Sequence, residues 1–234
     1  MASSATLDLA GRPTSGRGTV SIQRAAGAAL ALGSFGVAVT SALYALAPPA
    51  AALPAFPIDL ALAGTAAGAG MLSAAGRVGI FSDVVMATGA LLIVLELARR
   101  GRSTAAAGWT AILLSIVVFI LVDAVAGYVL GPMAARGDGA AAFAGFKLLF
   151  DALFMLGTLA FGSGTALALA DETRAQAPML SRSMALLGVA IGVAASLAAL
   201  ACFLGLPMGQ GAGLSIALGS VFFAVAGVQI ARGA

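Results

Sequence analysis

Histidine is absent from this chain, and cysteine occurs once, as Cys202. Without histidine there is no bis-histidine haem, no histidine-ligated chlorophyll, no histidine-based zinc site and no Ser-His-Asp catalysis. A lone cysteine excludes a disulfide within the chain, and an apolar helical setting makes Cys202 a small buried hydrophobe. Charge is the third scarcity: Asp, Glu, Lys and Arg make up 9% of the residues, against about 25% in a soluble domain. Gly-rich phosphate loops, metal-ligand spacings and nucleophile elbows are also missing. Runs such as Gly162-Ser163-Gly164 lie inside apolar helix and carry no nucleotide signal. No cofactor is implied.

What the chain does have is apolar surface. Hydrophobic residues make up 61% of its 234 residues, and the mean hydropathy is +1.08. Such a composition belongs to an all-α polytopic membrane protein, because only helices and closed barrels satisfy their backbone groups in lipid. A span takes about 20 apolar residues, and the hydropathy pattern predicts six, at about 25–46, 78–98, 106–130, 143–170, 184–205 and 212–231. These make a six-helix transmembrane domain over 23–234, preceded by a Ser-, Thr-, Gly- and Arg-rich tail (1–22) expected to be disordered and cytoplasmic. A cleaved signal peptide is the rival reading of the first span. Its apolar run is nearer a full span than a 7–15-residue signal core, and Pro48 follows the candidate cut directly.

The segment 47–77 holds four prolines and then an Ala/Gly-rich stretch (58–76). That stretch reads as an interfacial helix, a re-entrant one, or an extension of helix 2. A seventh, short span is a further option.

Arginine placement gives the orientation. With the N-terminus inside, Arg12, Arg17, Arg24, Arg99, Arg100, Arg102, Arg174, Arg182 and Arg232 all fall on the cytoplasmic side, and only Arg77, Arg136 and Lys147 outside, as the positive-inside rule requires. A bacterial cytoplasmic membrane with both termini inside is the expected location. The arginines hug helix ends, which topology explains without nucleic acid. Tyr44 and Tyr128 fall at outer helix ends and Trp109 at an inner one, where interfacial aromatics belong.

Three aspartates stand inside the apolar runs: Asp83, Asp123 and Asp151. A carboxylate at mid-bilayer costs roughly 2.5–3.5 kcal/mol on insertion scales. Counting from the expected outer ends of helices 2–4 places them at similar depth, about 8–12 Å in. Lys147 precedes Asp151 by four residues, so the two share a helix face and can pair. Arg77 stands at the outer end of helix 2, within reach of the layer. The candidate ligand-binding set is therefore Arg77, Asp83, Asp123, Lys147 and Asp151, which sums to −1 when ionised. Either a carboxylate holds a proton or the layer accepts a cation or a donor-rich ligand. The same residues read equally as a buried polar clamp between helices 2, 3 and 4, or as snorkelling charges facing lipid.

Other signals are local. Glu96 stands three and four residues before Arg99 and Arg100, and pairing there explains it. Gly188-x-x-x-Gly192 on helix 5 and Ser215-x-x-x-Gly219 on helix 6 permit close approach, either as a tight helix 5–6 hairpin or as a homodimer face. The series Arg77, Phe81, Asp83, Met86, Gly89 is faintly echoed by Lys147, Phe150, Asp151, Met155, Gly157.

The run GRVGIFSDVVMATGALLIVLELARRG resembles the second span of a broad family of uncharacterised bacterial six-helix membrane proteins: an arginine on the outer side, an acidic residue about two turns in, and a basic stop. The likeness extends over helices 1–5, with a long outer segment after helix 1 and a basic turn before a Gly-rich helix 5 (PMLSRSMALLGVAIG). The chain departs from the pattern in that turn, where Pro178 and Arg182 are separated rather than adjacent. The family has no established activity, so the resemblance implies topology and carries over no site residue. The expectation is a non-enzymatic membrane protein whose partners are the lipid bilayer and a small polar or cationic ligand or proton. An accessory or scaffold subunit of a membrane complex, joined through helices 5 and 6, is the alternative. An intramembrane enzyme using paired aspartates comes third, with no recognisable motif around them.

Overall fold

The computed structural model describes residues 21–48, 57–137 and 139–233. Residues 1–20 of the expected tail (1–22), the middle of the proline-rich segment (49–56), Asp138 and Ala234 lie outside the described residues, while Ser21 and Ile22 cap and begin the first helix. Seven helices follow in order: α1 (Ile22–Leu46), α2 (Ile58–Ala67), α3 (Ala69–Arg99), α4 (Ser103–Arg136), α5 (Ala140–Glu172), α6 (Arg182–Phe203) and α7 (Gly209–Arg232). All but the ten-residue α2 are long and apolar enough to cross a membrane, and no strand is present among the described residues. The protein is an all-α polytopic bundle.

Helix ends follow local chemistry. Ser21 and Ser181 each accept a hydrogen bond from the backbone N–H three residues on, Arg24 and Met184, at 3.2 and 3.4 Å, which satisfies donors the first turn leaves orphaned. Gly137 (φ 71°) closes α4 and Gly205 (φ 79°) turns the chain from α6 towards α7; both adopt a left-handed conformation that a Cβ disfavours.

One segment divides between the readings left open for it, and another runs past its expected end. The Ala/Gly-rich stretch 58–76 divides: Ile58–Ala67 is the separate helix α2, while residues from Ala69 onward are the first turns of α3. Helix 4 does not stop at Gly131-Pro132. Residues Val125–Leu130 form a π-helical turn, and the chain continues helically to Arg136. A proline ring collides with the carbonyl four residues back, here that of Tyr128, and the wider turn accommodates it. Ser73 on α3 donates to the Gly127 carbonyl at 3.1 Å, satisfying backbone within that turn.

The six long helices form a ring in which each packs on its neighbours in sequence and α7 closes on α1. Small residues set several of these contacts. A methyl group on Gly27 or Gly227 would collide with the facing backbone where α1 and α7 meet, and one on Gly162 or Gly192 would do so between α5 and α6. In lipid, where apolar side chains gain little by leaving the solvent, such close backbone approach is a main source of association. The expected helix 5–6 hairpin exists, but its small residues mostly serve other partners. Gly192 meets Gly162 and Ala166, Gly219 meets Phe161 closely and Ile191 across the hairpin only at ordinary contact distance, and Gly188 reaches across to Phe222 while also touching Leu169.

The two halves of the ring are filled differently. Towards the end that carries Arg24, Arg99, Arg100, Arg102, Arg174, Arg182 and Arg232, the interior is an aromatic plug. Trp109, Phe161 and Phe222 each meet Phe223 edge-on, with ring centroids 5.2–5.6 Å apart. Trp109 is 2% exposed, so it is a core residue and not the interfacial aromatic its position suggested. At this end Arg102 binds Asp171 and Glu172, both at 2.6 Å. Glu172 also accepts the backbone N–H groups of Met179 and Leu180. Burial works to lower the Arg102 pKa, but the hydrogen bonds to Asp171 and then Glu172 outweigh it and hold the guanidinium above its ordinary value. Towards the opposite end the interior is hollow.

Candidate functional site

The hollow is a cavity of about 360 Å³, bounded by α1, α3, α4, α5 and α7. Its walls are mostly apolar, with Val37, Val122, Phe119, Phe150, Phe154 and Leu214 among them. Six side chains bring polarity: Thr40, Ser41, Tyr44, Asp83, Asp123 and Gln210. None of the described lining residues is basic.

Asp83 and Asp123 reach this space from neighbouring helices. Asp123 stands on the last α-helical turn of α4 before the π turn, and its carboxylate lies flat against Gly79 of α3, where any Cβ would overlap it. Asp83 is one turn along α3 from Gly79, about 6 Å of rise. The two carboxylates therefore face one cavity at 3% and 6% exposure. The Tyr44 hydroxyl donates to Asp123 Oδ1 at 2.7 Å, tying α1 to α4. Asp83 Oδ2 is buried and has no hydrogen-bond partner among the described residues. A buried carboxylate oxygen without a donor is costly, so the wall is one donor short at this point.

The five sequence-derived residues do not assemble into one layer. Asp83 and Asp123 come together. Lys147 and Asp151 form their own ion pair along α5, with the ammonium 5.3 Å from the Phe150 ring centroid, and neither lines the cavity. Arg77 stacks over the Tyr128 ring, 6.0 Å from its centroid, and is also outside the lining. The faint repeat between helices 2 and 4 fails here, since Asp83 faces the cavity while Asp151 pairs with its own Lys147. Depth changes too. Counted from the observed helix ends at about 1.5 Å per residue, Asp83, Asp123 and Asp151 lie about 21, 20 and 16 Å in, near the middle of the bundle rather than just beneath its outer face.

Sequence reasoning missed Tyr44 as a site residue, because an aromatic at a helix end reads as an interfacial anchor. It also passed over Thr40 and Ser41, which are only one turn from Tyr44 on the same face of α1 and could have marked that face as polar. Gln210 is the second residue of α7 and lies just before the span expected at 212–231. Glu96 behaves as its spacing implied, pairing with Arg100 at 2.8 Å. Cys202 is buried, as expected. No group of three or more metal-ligating side chains occurs among the described residues.

Fold and site together define a multi-pass helical membrane bundle with an internal acidic cavity. No protein-family model, curated protein or solved structure matches this chain.

Proposed function

We propose that the protein is a non-enzymatic small-ligand binder of a bacterial cytoplasmic membrane, holding a cationic or donor-rich ligand between Asp83 and Asp123. The observation that carries this reading is Asp83 Oδ2, unpartnered among the described residues, in a cavity with two carboxylates and no basic residue in its described wall. A ligand bearing N–H groups or positive charge supplies what that wall lacks. The volume falls within the range of small-molecule sites, about 300–1,000 Å³. Proton coupling follows naturally, because a proton is the smallest guest that can replace the ligand on a carboxylate.

The orientation that fits has the arginine-rich end in the cytoplasm, with seven described arginines there against Arg77, Arg136 and Lys147 towards the other end. Both termini then lie in the cytoplasm and the cavity belongs to the outer half. The alternative of an accessory subunit joined through α6 and α7 draws less support. The small residues that would make such a face are spent inside the bundle, on Gly162, Ala166, Leu169, Phe161 and Phe222.

Calorimetric titration of the purified protein with tetramethylammonium tests the reading. Binding is expected in the native chain and lost in Asp83→Asn. Absence of binding to the native chain, with Asp83→Asn and Asp123→Asn both lowering the melting temperature, would instead make the pair a packing clamp.

A further inference from the structure

We propose that the ligand is an organic ammonium ion with an apolar body, and that it enters sideways from the bilayer through a gap between α1 and α7. This rests on the cation-binding reading of the same cavity and adds the chemical class and the route. Two features of the wall set the class. Four aromatic rings line the cavity: Tyr44 from α1, Phe119 from α4, and Phe150 and Phe154 from α5. The three phenyl rings form a connected wall, since Phe119 meets Phe154 edge-on at 5.9 Å and Phe154 stacks on Phe150 at 6.1 Å. Aromatic faces attract ammonium groups, most strongly where water is excluded. The carboxylates are the second feature, and they stand to one side on α3 and α4. A hydrated metal ion would gain nothing from the phenyl rings, and a neutral apolar guest would leave both carboxylates unanswered. An ammonium on an apolar body satisfies both parts of the wall.

The route follows from how α1 and α7 run. Near the arginine-rich end their backbones touch at Gly27 and Gly227, and Gln23 bonds the Ile230 carbonyl at 3.5 Å. Further along, Thr40, Ser41, Tyr44 and Ala45 of α1 and Gln210, Gly213, Leu214 and Ala217 of α7 all border the same cavity, so it reaches the seam between the two helices there. Ala45 and Leu214 at this border are exposed, Leu214 by 60%, whereas Asp83, Val122, Asp123 and Phe150 at the far wall are buried. The buried carboxylates thus stand at the back of the cavity, and its exposed border lies along the seam of the first and last spans. An opening at that position in a membrane-crossing bundle faces lipid, the phase in which an amphipathic cation concentrates.

The test compares benzyltrimethylammonium with tetramethylammonium on the full chain in lipid nanodiscs, by calorimetry. Benzyltrimethylammonium is expected to bind about tenfold tighter or better, and Asp83→Asn to abolish binding of both ions. Ala45→Trp, at the exposed border, should weaken benzyltrimethylammonium about tenfold or more without moving the melting temperature; Leu214→Trp is the second blocking variant. Equal affinity for the two ions, still lost in Asp83→Asn, would leave a cation site but overturn the amphipathic class. Undiminished binding in both blocking variants would overturn the lateral route. No binding of either ion to the native chain would overturn this proposal together with the reading beneath it.

Discussion

The two halves of the bundle solve the problem of a charged interior in opposite ways. At the arginine-rich end every buried carboxylate oxygen has work: Glu172 takes Arg102 and two backbone N–H groups, and Asp171 takes the same guanidinium. Beside this knot the core is solid, with Trp109, Phe161, Phe222 and Phe223 interlocked. In the other half the one phenol serves Asp123 alone, Asp83 Oδ2 is without a donor among the described residues, and the centre is hollow. Arg102 is not itself fully met, since its Nη1 is buried without a partner among the described residues, but the two carboxylates beside it are. Carboxylates are thus met by donors in one half and left short of them in the other.

That contrast can be broken by substitution, and the largest effect belongs to the knot. Arg102→Met leaves Glu172 buried with its strongest partner gone, and removing one member of a buried ionic group costs about 3–5 kcal/mol. Thermal unfolding in detergent should show a corresponding drop, and a change below about 1 kcal/mol would mean that the two halves do not differ in kind. Next comes the aromatic plug. Phe223→Ala removes the ring that three others touch and is expected to cost about 3 kcal/mol by the same measurement.

The cavity half should respond weakly. Tyr44→Phe deletes one hydrogen bond to Asp123 and is expected to cost about 1 kcal/mol. Asp83→Asn replaces an unsatisfied carboxylate by a neutral amide of similar shape, so its stability should be unchanged or raised. A clear loss of stability in Asp83→Asn would place that residue with Glu172 as a structural group and erase the distinction.

How much of this was legible in the sequence depends on which coordinate is asked for. The six spans are readable because a lipid-crossing helix must be apolar over about 20 residues, and no competing signal produces that. The continuation of α4 was hidden by Gly131-Pro132, which reads as a stop but here sits behind a widened turn. The start of α3 was hidden by alanine and glycine, which carry too little hydropathy to mark a boundary. For the site, position along each helix could be ranked from the apolar runs, whereas direction around the helix could not. Asp83 and Asp151 therefore looked equivalent until packing turned one towards α4 and paired the other with Lys147. Tyr44 escaped for the same reason: its position near a helix end was plain, and the side to which its hydroxyl turns was not.

The widened turn in α4 has a consequence of phase. Buried residues of this helix advance by fours through its second half, as the pairs 122/123, 126/127 and 130/131. An ideal helix turns about 100° per residue, so each step of four overshoots a full turn by about 40°, and two steps by about 80°. The surplus residue held in Val125–Leu130 acts like a leap day, restoring the calendar so that Gly127 still meets Gly76 and Gly131 still meets Ala69. Asp123 lies immediately before the correction. Shortening the turn by one residue would keep every side chain near the cavity in place yet swing the end of α4 away from α3, a displacement that no single substitution within it imitates.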